Sequence, residues 1–502
     1  MTRSRAAVIG SGFGGLSLAI RLQAAGIDTT ILEKRDRPGG RAYVYQDKGY
    51  TFDAGPTIIT APHCIEELFE VAERHMPDYA ELIPVRPFYR LYWEDGYIFN
   101  YSNEREAIDE QIARKSPRDV EGYARFLRYI EDVFEEGYAK LAHVPFLDWW
   151  SMIRVSPQLM RLKSYRSVYS VVSDYIKDPH LRQVFSFHSL LVGGNPFSSS
   201  SIYTLIHELE RKWGVFFVRG GTGALVDALV RLFKELGGTI RLGAAVERIE
   251  TRDGRVKGVH TTDGWSGDFD AVASNADVVH TYGKLLEADP HAQTACSKLT
   301  HKRFSMSLFV IYFGTKKRHT QLAHHDILFG PRYKELLGDI FERGHLSDDF
   351  SLYLHAPTLT DPSVAPPDSE AFYVLSPVPH LGKAPIDWSK EGPRYRDRIL
   401  EYLERRYIPN LSQDLETVRI FTPEDFKNTL NAHHGSAFSL EPILTQSAYL
   451  RVHNRDPRIG GLYFVGAGTH PGAGVPGVVN SAKATAGLMI ADLGGSRERR
   501  IA

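Results

Sequence analysis

The stretch AAVIGSGFGGLSLAIRLQAAGIDTTILEK, residues 6–34, decides how the chain begins to fold. Four glycines fall within the six positions 10–15, directly behind an apolar run. Residues 6–9 suit a short buried strand. Gly10, Gly12 and Gly15 match G-x-G-x-x-G, and residues 16–25 carry Leu18, Ala19, Leu22 and Ala25 on one helical face. Gly26 stands where helices are commonly capped. Residues 29–32 form a second strand, closed by Glu33. The unit is strand, helix, strand, with an acid about 20 residues past the glycines, a pattern that binds dinucleotides. Gly10 permits the tight turn, Gly12 lets a pyrophosphate reach the backbone, and Gly15 lets helix and strand pack closely. Free N–H groups at the helix start, and its dipole, favour the anion. Glu33 suits the ribose hydroxyls and would repel a 2′-phosphate. A ligand-free glycine turn is the plainer reading, but it leaves the acid at the strand end unexplained.

Composition narrows the rest. The 502 residues predict two or three domains with a large core. A net charge of −1 argues against nucleic acid as a partner, since neutralising phosphates needs a basic surplus. Two cysteines, Cys64 and Cys296, are too few for a disulfide framework and fit a reducing cytosol. The N-terminal apolar stretch is broken by glycines and is expected to be no secretory signal. Residues 459–482 lack Asp, Glu, Lys and Arg, yet hold seven glycines and two prolines, so a spanning helix is not expected there.

The apolar period switches several times along the chain. FYRLYWEDGYIFNY (88–101) predicts a hairpin turning at Asp95-Gly96. VEGYARFLRYIEDVFEEGYAKL has a helical period, GGTGALVDALVRLFKELGG starts a helix near Thr222, and strands follow with a turn near Asp253-Gly254. FSMSLFVIYFG, FSLYLHA and AFYVLSPV predict long strands of a second sheet, EGPRYRDRILEYLERRYIPNL an exposed amphipathic helix, and APPDS (365–369) a surface loop. LYFVGAGTHPGAGVPGVVNSAKATAGLMIADL reads as strand, glycine-rich loop and helix. Neither repeats nor low-complexity tracts are seen.

Two further segments choose the ligand. RPGGRAY (37–43) brings a glycine loop and Arg41, a good phosphate partner, directly behind Glu33. GAGTHPGAGVPGVVNSAKA predicts a helix start whose N–H groups near Gly477, Val478 and Val479 point at a ligand, as suits the negative charge of a reduced flavin. Together the three segments resemble the flavoprotein superfamily of amine oxidases and carotenoid desaturases. VIGSGFGGLSLAIRLQAAG, RPGGRAYVY, FDAGPTIIT, FSFHSLLVGGNPF, RGGTGALVDAL, SNADVVHTY and VGAGTHPGAGVPGVVNSAKATAGLM, in that order and spacing, resemble bacterial-type phytoene desaturases over essentially the full length.

The resemblance implies an α/β chain: a discontinuous Rossmann-like FAD-binding domain (1–82, 218–300, 455–493), an α+β substrate domain with a mixed sheet (83–103, 301–454), a helical membrane-facing part (104–217) and a loose tail (494–502). It implies FAD as cofactor. Gly10, Gly12, Phe13, Gly14, Gly15, Glu33 and Lys34 would hold the ADP part, and Gly40 and Arg41 the phosphates. Gly55, Pro56 and Thr57 would lie by the isoalloxazine, and Val246 would bond adenine through its backbone. Gly466 with Gly474, Val475, Pro476, Gly477 and Val478 would cover the ribityl chain and pyrimidine edge. Many family members carry Asp or Glu where this chain has Ala467, so backbone or water must substitute there, or FAD is held more weakly.

The implied reaction is desaturation of phytoene, through carotene intermediates, to lycopene: hydride from an allylic C–H to flavin N5, proton loss from the next carbon, and reoxidation by oxygen or quinone. Such a substrate has no polar handle, so an apolar tunnel must hold it. No residue declares itself the base, and the catalytic group stays open. Arg154, His188 and Glu208 are polar candidates in the stretch expected to line the tunnel, each equally suited to a structural or solvent-facing place. LDWWSMIRVSPQLMRLKSYRSVYSVV (147–172) mixes aromatics with bases, as at a headgroup interface, or forms an internal helix pair with solvated arginines. The expected location is cytoplasmic, peripheral on the inner face of the cell membrane. His324-His325 and His433-His434 raise a metal reading, but adjacent residues point apart, and none is expected. The alternatives kept open are another polyisoprenoid desaturase or oxygenase and a non-catalytic prenyl-lipid carrier.

Overall fold

The structure is a computed structural model describing residues 3–494. The opening unit forms as β1 (Arg5–Ile9), α1 (Phe13–Ala24) and β2 (Asp28–Leu32). The helix begins three residues earlier than the apolar period alone predicts. Gly14 and Gly15 are weak helix formers, but here they make its first turn because nothing larger fits: a Cβ on Gly15 would lie 2.0 Å from the Gly10 carbonyl oxygen.

β1 and β2 lie in a five-stranded parallel sheet with order Leu462–Phe464, Ala271–Ser274, β1, β2, Thr239–Arg241. Its strands come from the beginning, middle and end of the chain. α1 packs between the helices Thr222–Glu235 and Val475–Leu493 on one face of the sheet, as a buried parallel sheet requires. A three-stranded antiparallel sheet, Val246–Arg252, Arg255–Thr261 and Ser266–Asp268, adjoins it, and its first turn has positive φ at both Asp253 and Gly254. That is the turn expected there.

The second sheet has seven strands, in the order Leu415–Phe421, Ser307–Thr315, Glu370–Val378, Leu352–His355, His325–Phe329, Tyr89–Trp93 and Ile98–Tyr101. All pairs are antiparallel except His325–Phe329 with Tyr89–Trp93, so the sheet is mixed. The expected hairpin closes at Gly96, whose φ is +88°.

Strand alternation explains the long apolar runs. Phe309, Ile311 and Phe313 face the helix Trp388–Arg406 and pack with its Trp388, Tyr395, Ile399 and Leu403. Leu308, Val310 and Tyr312 point the other way, into the second core and the cavity described below. A strand covered on both faces needs no polar positions. The helix expected to be exposed is therefore half-buried, as its period demands. Helices Arg105–Lys115, Val120–Phe134 and Val168–Tyr175 pack into the same core, and Leu205–Trp213 lends residues to the cavity wall. Among the described residues, no helix is long and apolar enough to cross a membrane. Of the predicted tail only Gly494 is described; it caps the last helix with φ +70°.

Candidate functional site

One cavity runs from the first glycine turn to the underside of the second sheet. Ser11, Gly12, Phe13 and Gly14 line one end together with Glu33, Lys34, Gly40, Arg41 and Val246. Gly55, Pro56 and Thr57 line its middle, and Gly474, Val475, Pro476, Gly477 and Val478 the facing wall. Gly10 also borders it. Two expected residues do not: Gly15 and Gly466 lie one layer behind the wall. A Cβ on Gly466, where φ is +99°, would meet the Asn275 side-chain oxygen at 2.4 Å. Their tight packing lets the segments close.

The turn is built for an anion. Gly12 caps α1, the Leu16 amide bonds back to the Gly12 carbonyl at 2.9 Å, and the first-turn N–H groups at Phe13, Gly14 and Gly15 precede any intrahelical partner. The loop 39–42 docks beside it: the Gly39 amide donates to the Ser11 carbonyl at 3.0 Å, and a Cβ on Gly40 would lie 3.3 Å from the Gly12 Cα. Glu33 is buried. One carboxylate oxygen accepts from the Ser11 amide at 2.9 Å and its hydroxyl at 2.6 Å, the other from the Arg35 amide at 2.9 Å. Its remaining lone pairs can still accept hydrogen bonds at the wall.

Arg41 donates from Nε to the Ala437 carbonyl at 2.7 Å; burial draws its pKa down and nearby Asp277 opposes this. Lys34 reaches the Asn431 side chain at 2.9 Å, with its pKa also lowered by burial. Asn275 carries no signal in the sequence beyond its place in SNADVV, yet its side chain stands under Gly10, Gly12, Gly14 and Gly466 at once. It belongs to the site, and only the sheet order reveals it.

At the other helix, Gly474 caps Val475–Leu493 with φ +96°. Here the expectation is corrected. The Val478 amide bonds to the Gly474 carbonyl at 2.9 Å, and Pro476 has no N–H, so the donors left for a ligand are at Val475 and Gly477. Buried Arg451 ties down the preceding loop through the carbonyls of Ala467 at 2.6 Å and Thr469 at 3.0 Å. At Ala467 the backbone of this chain is therefore held by a cation.

The far half of the cavity is apolar. Met306, Leu308, Val310, Ile327, Phe329, Leu336 and Leu375 line it, together with Met152 and Leu159 of the helix Trp149–Arg161. None of the three polar candidates lies on this wall. Arg154 is exposed; His188 is buried beside Glu210, 3.2 Å away; Glu208 is buried but turned to Arg211 at 2.8 Å. On Leu205–Trp213 the period puts Ile206, Leu209 and Glu210 toward the cavity, so Glu208 cannot face it. Glu210 instead borders it, accepting from the Tyr89 hydroxyl at 2.6 Å.

Next to Thr57 on the wall stand two tyrosines, Tyr353 and Tyr373, at 3.1 and 2.6 Å from its hydroxyl. Behind them His324, His325 and His355 each bring a ring nitrogen within 4.8 Å of the others. The expectation that adjacent histidines point apart fails here because His324 precedes the strand that His325 opens, while His355 pairs with His325 across the sheet.

Residues 13–490 match the family of flavin containing amine oxidoreductases, and the chain belongs to that family. Over whole chains the likeness is to bacterial-type phytoene desaturases. It is 62% identical to a phytoene desaturase (lycopene-forming) of Pseudescherichia vulneris, across 97% of this chain and 99% of that one. Identity to the enzyme of the same name from Pantoea ananas is 61%, across the same shares. Among solved structures, cyclohexylamine oxidase from Brevibacterium oxydans superposes with a TM-score of 0.64 at 15% identity, over 98% of this chain and 100% of that one, a likeness of fold alone. FAD is the cofactor of this fold. The anion-binding turn, the acid directly after β2 and the glycine cradle that a single Cβ would fill all fit it.

Proposed function

We propose that the chain is an FAD-dependent desaturase that converts phytoene to lycopene by successive dehydrogenations. The supporting observation is the shape of the cavity: one continuous space, with an anion-binding glycine turn at one end and a wall of aliphatic and aromatic side chains at the other. In this reading 1–82, 218–300 and 455–493 hold the cofactor. Residues 83–103 and 301–454 form the substrate wall, and 104–217 covers it.

FAD, when bound, would supply a two-electron acceptor for hydride. The chain's own residues bind, orient and dehydrate. Gly12, Gly14, Gly40 and Arg41 would take the pyrophosphate, Glu33 the ribose, and the Val246 backbone the adenine. Gly55 to Thr57 and the Val475 and Gly477 amides would flank the ring. The apolar wall binds a hydrocarbon through burial, at about 25 cal/mol per Å². It also fixes which C–H faces the ring.

The helix Trp149–Arg161 supports membrane docking. Its Met152 and Leu159 face the cavity, while Trp149, Trp150, Ile153 and Met160 stand 44 to 68% exposed beside exposed Arg154. Such a helix is both the mouth of the tunnel and its contact with a lipid surface, on the cytoplasmic side of the cell membrane. Oxygen or a membrane quinone would reoxidise the cofactor.

The test is incubation with FAD and phytoene-loaded liposomes, with and without quinone, following the product spectrum. Absorbance growing in at the bands of lycopene is expected. A yellow protein that leaves phytoene unchanged would make the chain a carrier, and a shorter polyene or an oxygenated product would move it to another branch of the family.

A further inference from the structure

A file of hydroxyl and imidazole groups leads away from the cavity wall. Thr57 Oγ1, Tyr373 OH and Tyr353 OH form a cluster at the wall, with contacts of 2.6, 3.1 and 3.4 Å. The Tyr353 hydroxyl lies 2.7 Å from His325 Nδ1. The His325 ring stacks on His355, with centroids 5.3 Å apart and planes 18° apart. His355 Nε2 is 3.0 Å from His324 Nε2, and His324 Nδ1 is 2.6 Å from the Thr360 hydroxyl. Every member is buried except Thr360, which is partly exposed. Two ring nitrogens inside the file, His325 Nε2 and His355 Nδ1, are buried without a partner. Their unused valence falls at the one step of the file that no hydrogen bond spans.

Such a file is costly to bury and does nothing for the binding of a hydrocarbon. Each member can both donate and accept a proton. Burial holds the imidazoles neutral, His324 down to about 3 and His325 and His355 well below their ordinary value, so a proton entering the file is passed on and not stored. A divalent cation is the competing reading of three clustered histidines, but both ring nitrogens of His324 are already taken, by His355 Nε2 and the Thr360 hydroxyl, which leaves it none for a metal.

We propose that this file is the exit path for the proton released at the substrate. The inference rests on the desaturase reading. Each dehydrogenation breaks two C–H bonds and forms one C=C bond. One hydrogen leaves as hydride, with both electrons, to the bound cofactor. The polyene cation that remains makes the hydrogen on the next carbon acidic. That proton passes to the hydroxyl cluster of Thr57, Tyr353 and Tyr373, while its C–H electron pair becomes the new π bond. From Tyr353 it moves through His325, His355 and His324 to Thr360 and solvent, His355 turning its ring or a water bridging the gap. The apolar wall offers it no water, and a neutral hydroxyl suffices as acceptor because the cation is a strong acid. Thr57, Tyr353 and Tyr373 are then the groups facing substrate, and the histidines relay.

The test uses the FAD-loaded chain with phytoene in liposomes and three variants, Tyr353→Phe, His355→Gln and His355→Ala. All are expected to take up FAD with unchanged affinity and visible spectrum, which shows that they fold. In a single turnover, proton release to a pH-indicator dye and formation of the first new double bond should both slow at least tenfold in Tyr353→Phe and His355→Gln. Their D₂O isotope effect should exceed that of the wild type, and added imidazole should restore His355→Ala. The purified chain should carry less than a tenth of an equivalent of zinc, copper, iron, nickel or manganese. Wild-type rates and isotope effects in both Tyr353→Phe and His355→Gln would overturn the relay, as would one equivalent of metal that is lost in His355→Gln. A wild-type protein that leaves phytoene unchanged defeats the desaturase reading and the relay with it; an active wild type matched by its variants defeats the relay alone.

Discussion

Gly12 and Gly15 look alike in the sequence, three positions apart in one motif, but the structure gives them different duties. A Cβ on Gly15 would sit 2.0 Å from the Gly10 carbonyl oxygen, backbone against backbone, with no room to yield. Gly15→Ala is expected to lower stability by more than about 3 kcal/mol and to leave little soluble protein. A Cβ on Gly12 would meet only the Asn275 amide, at 3.0 Å, and that side chain can turn. Gly12→Ala should therefore melt within a few degrees of the wild type, yet bind FAD at least tenfold more weakly, because the methyl occupies the approach of the pyrophosphate. Thermal melts and flavin fluorescence titrations of the pair separate the two duties. The motif was legible in the chain; the division of labour within it was not, since it depends on which atoms lie behind each glycine.

At the scale of the element, two helices carry predictions. Thr222–Glu235 starts on buried Asp53, whose carboxylate accepts from the Thr222 amide at 2.8 Å and the Gly223 amide at 3.2 Å. Burial raises the Asp53 pKa to about 6, and these bonds only partly oppose it. The folded state thus holds this proton more tightly than the unfolded chain does. Stability from this group is full at low pH and falls as pH rises from about 4 through 6, by up to about 3 kcal/mol. Asp53→Asn should remove that slope in denaturant titrations at pH 4 and pH 7. The second helix, Trp149–Arg161, shows Trp149, Trp150 and Ile153 to solvent. Replacing Trp150 and Ile153 by Ser should weaken partition onto anionic vesicles about tenfold in flotation assays, with FAD uptake unchanged. Its mixture of aromatics and bases was visible in the sequence. Which face lines the tunnel became clear only when Met152 and Leu159 met the cavity.

Across the whole molecule, buried titratable groups set opposing slopes. His324 and His380 are held near 3, His470 near 4, and His207, His325 and His355 well below their ordinary value, all first by desolvation. These six take up protons on unfolding, so the stability they allow is lost as pH falls below about 6.5. Asp53, Asp326 and Glu370 are raised by burial to about 6, 8 and 7, and they oppose with the reverse sign up to those values. Among these strongly shifted groups the histidines outnumber the acids, which gives a net rise with pH below 6.5, and above it the acids prevail. Stability should peak near pH 6.5, with the steeper loss on the acid side, as melting temperatures across pH 4 to 9 would show.

The chain alone determined the opening nucleotide unit, the glycine segments, the two sheets and the hairpin and turn positions. These follow from local rules: period, propensity and the φ that only glycine tolerates. Tertiary structure decided what those rules do not reach. Asn275 joins the cradle because its strand lies beside β1, although 265 residues separate it from Gly10. His188, Glu208 and Arg154 turn away from the tunnel, while Tyr353, Tyr373 and three histidines gather behind Thr57. Side chains meet through sheet order and helix facing, and these are fixed by how distant apolar surfaces bury one another, a balance that no short window of sequence contains.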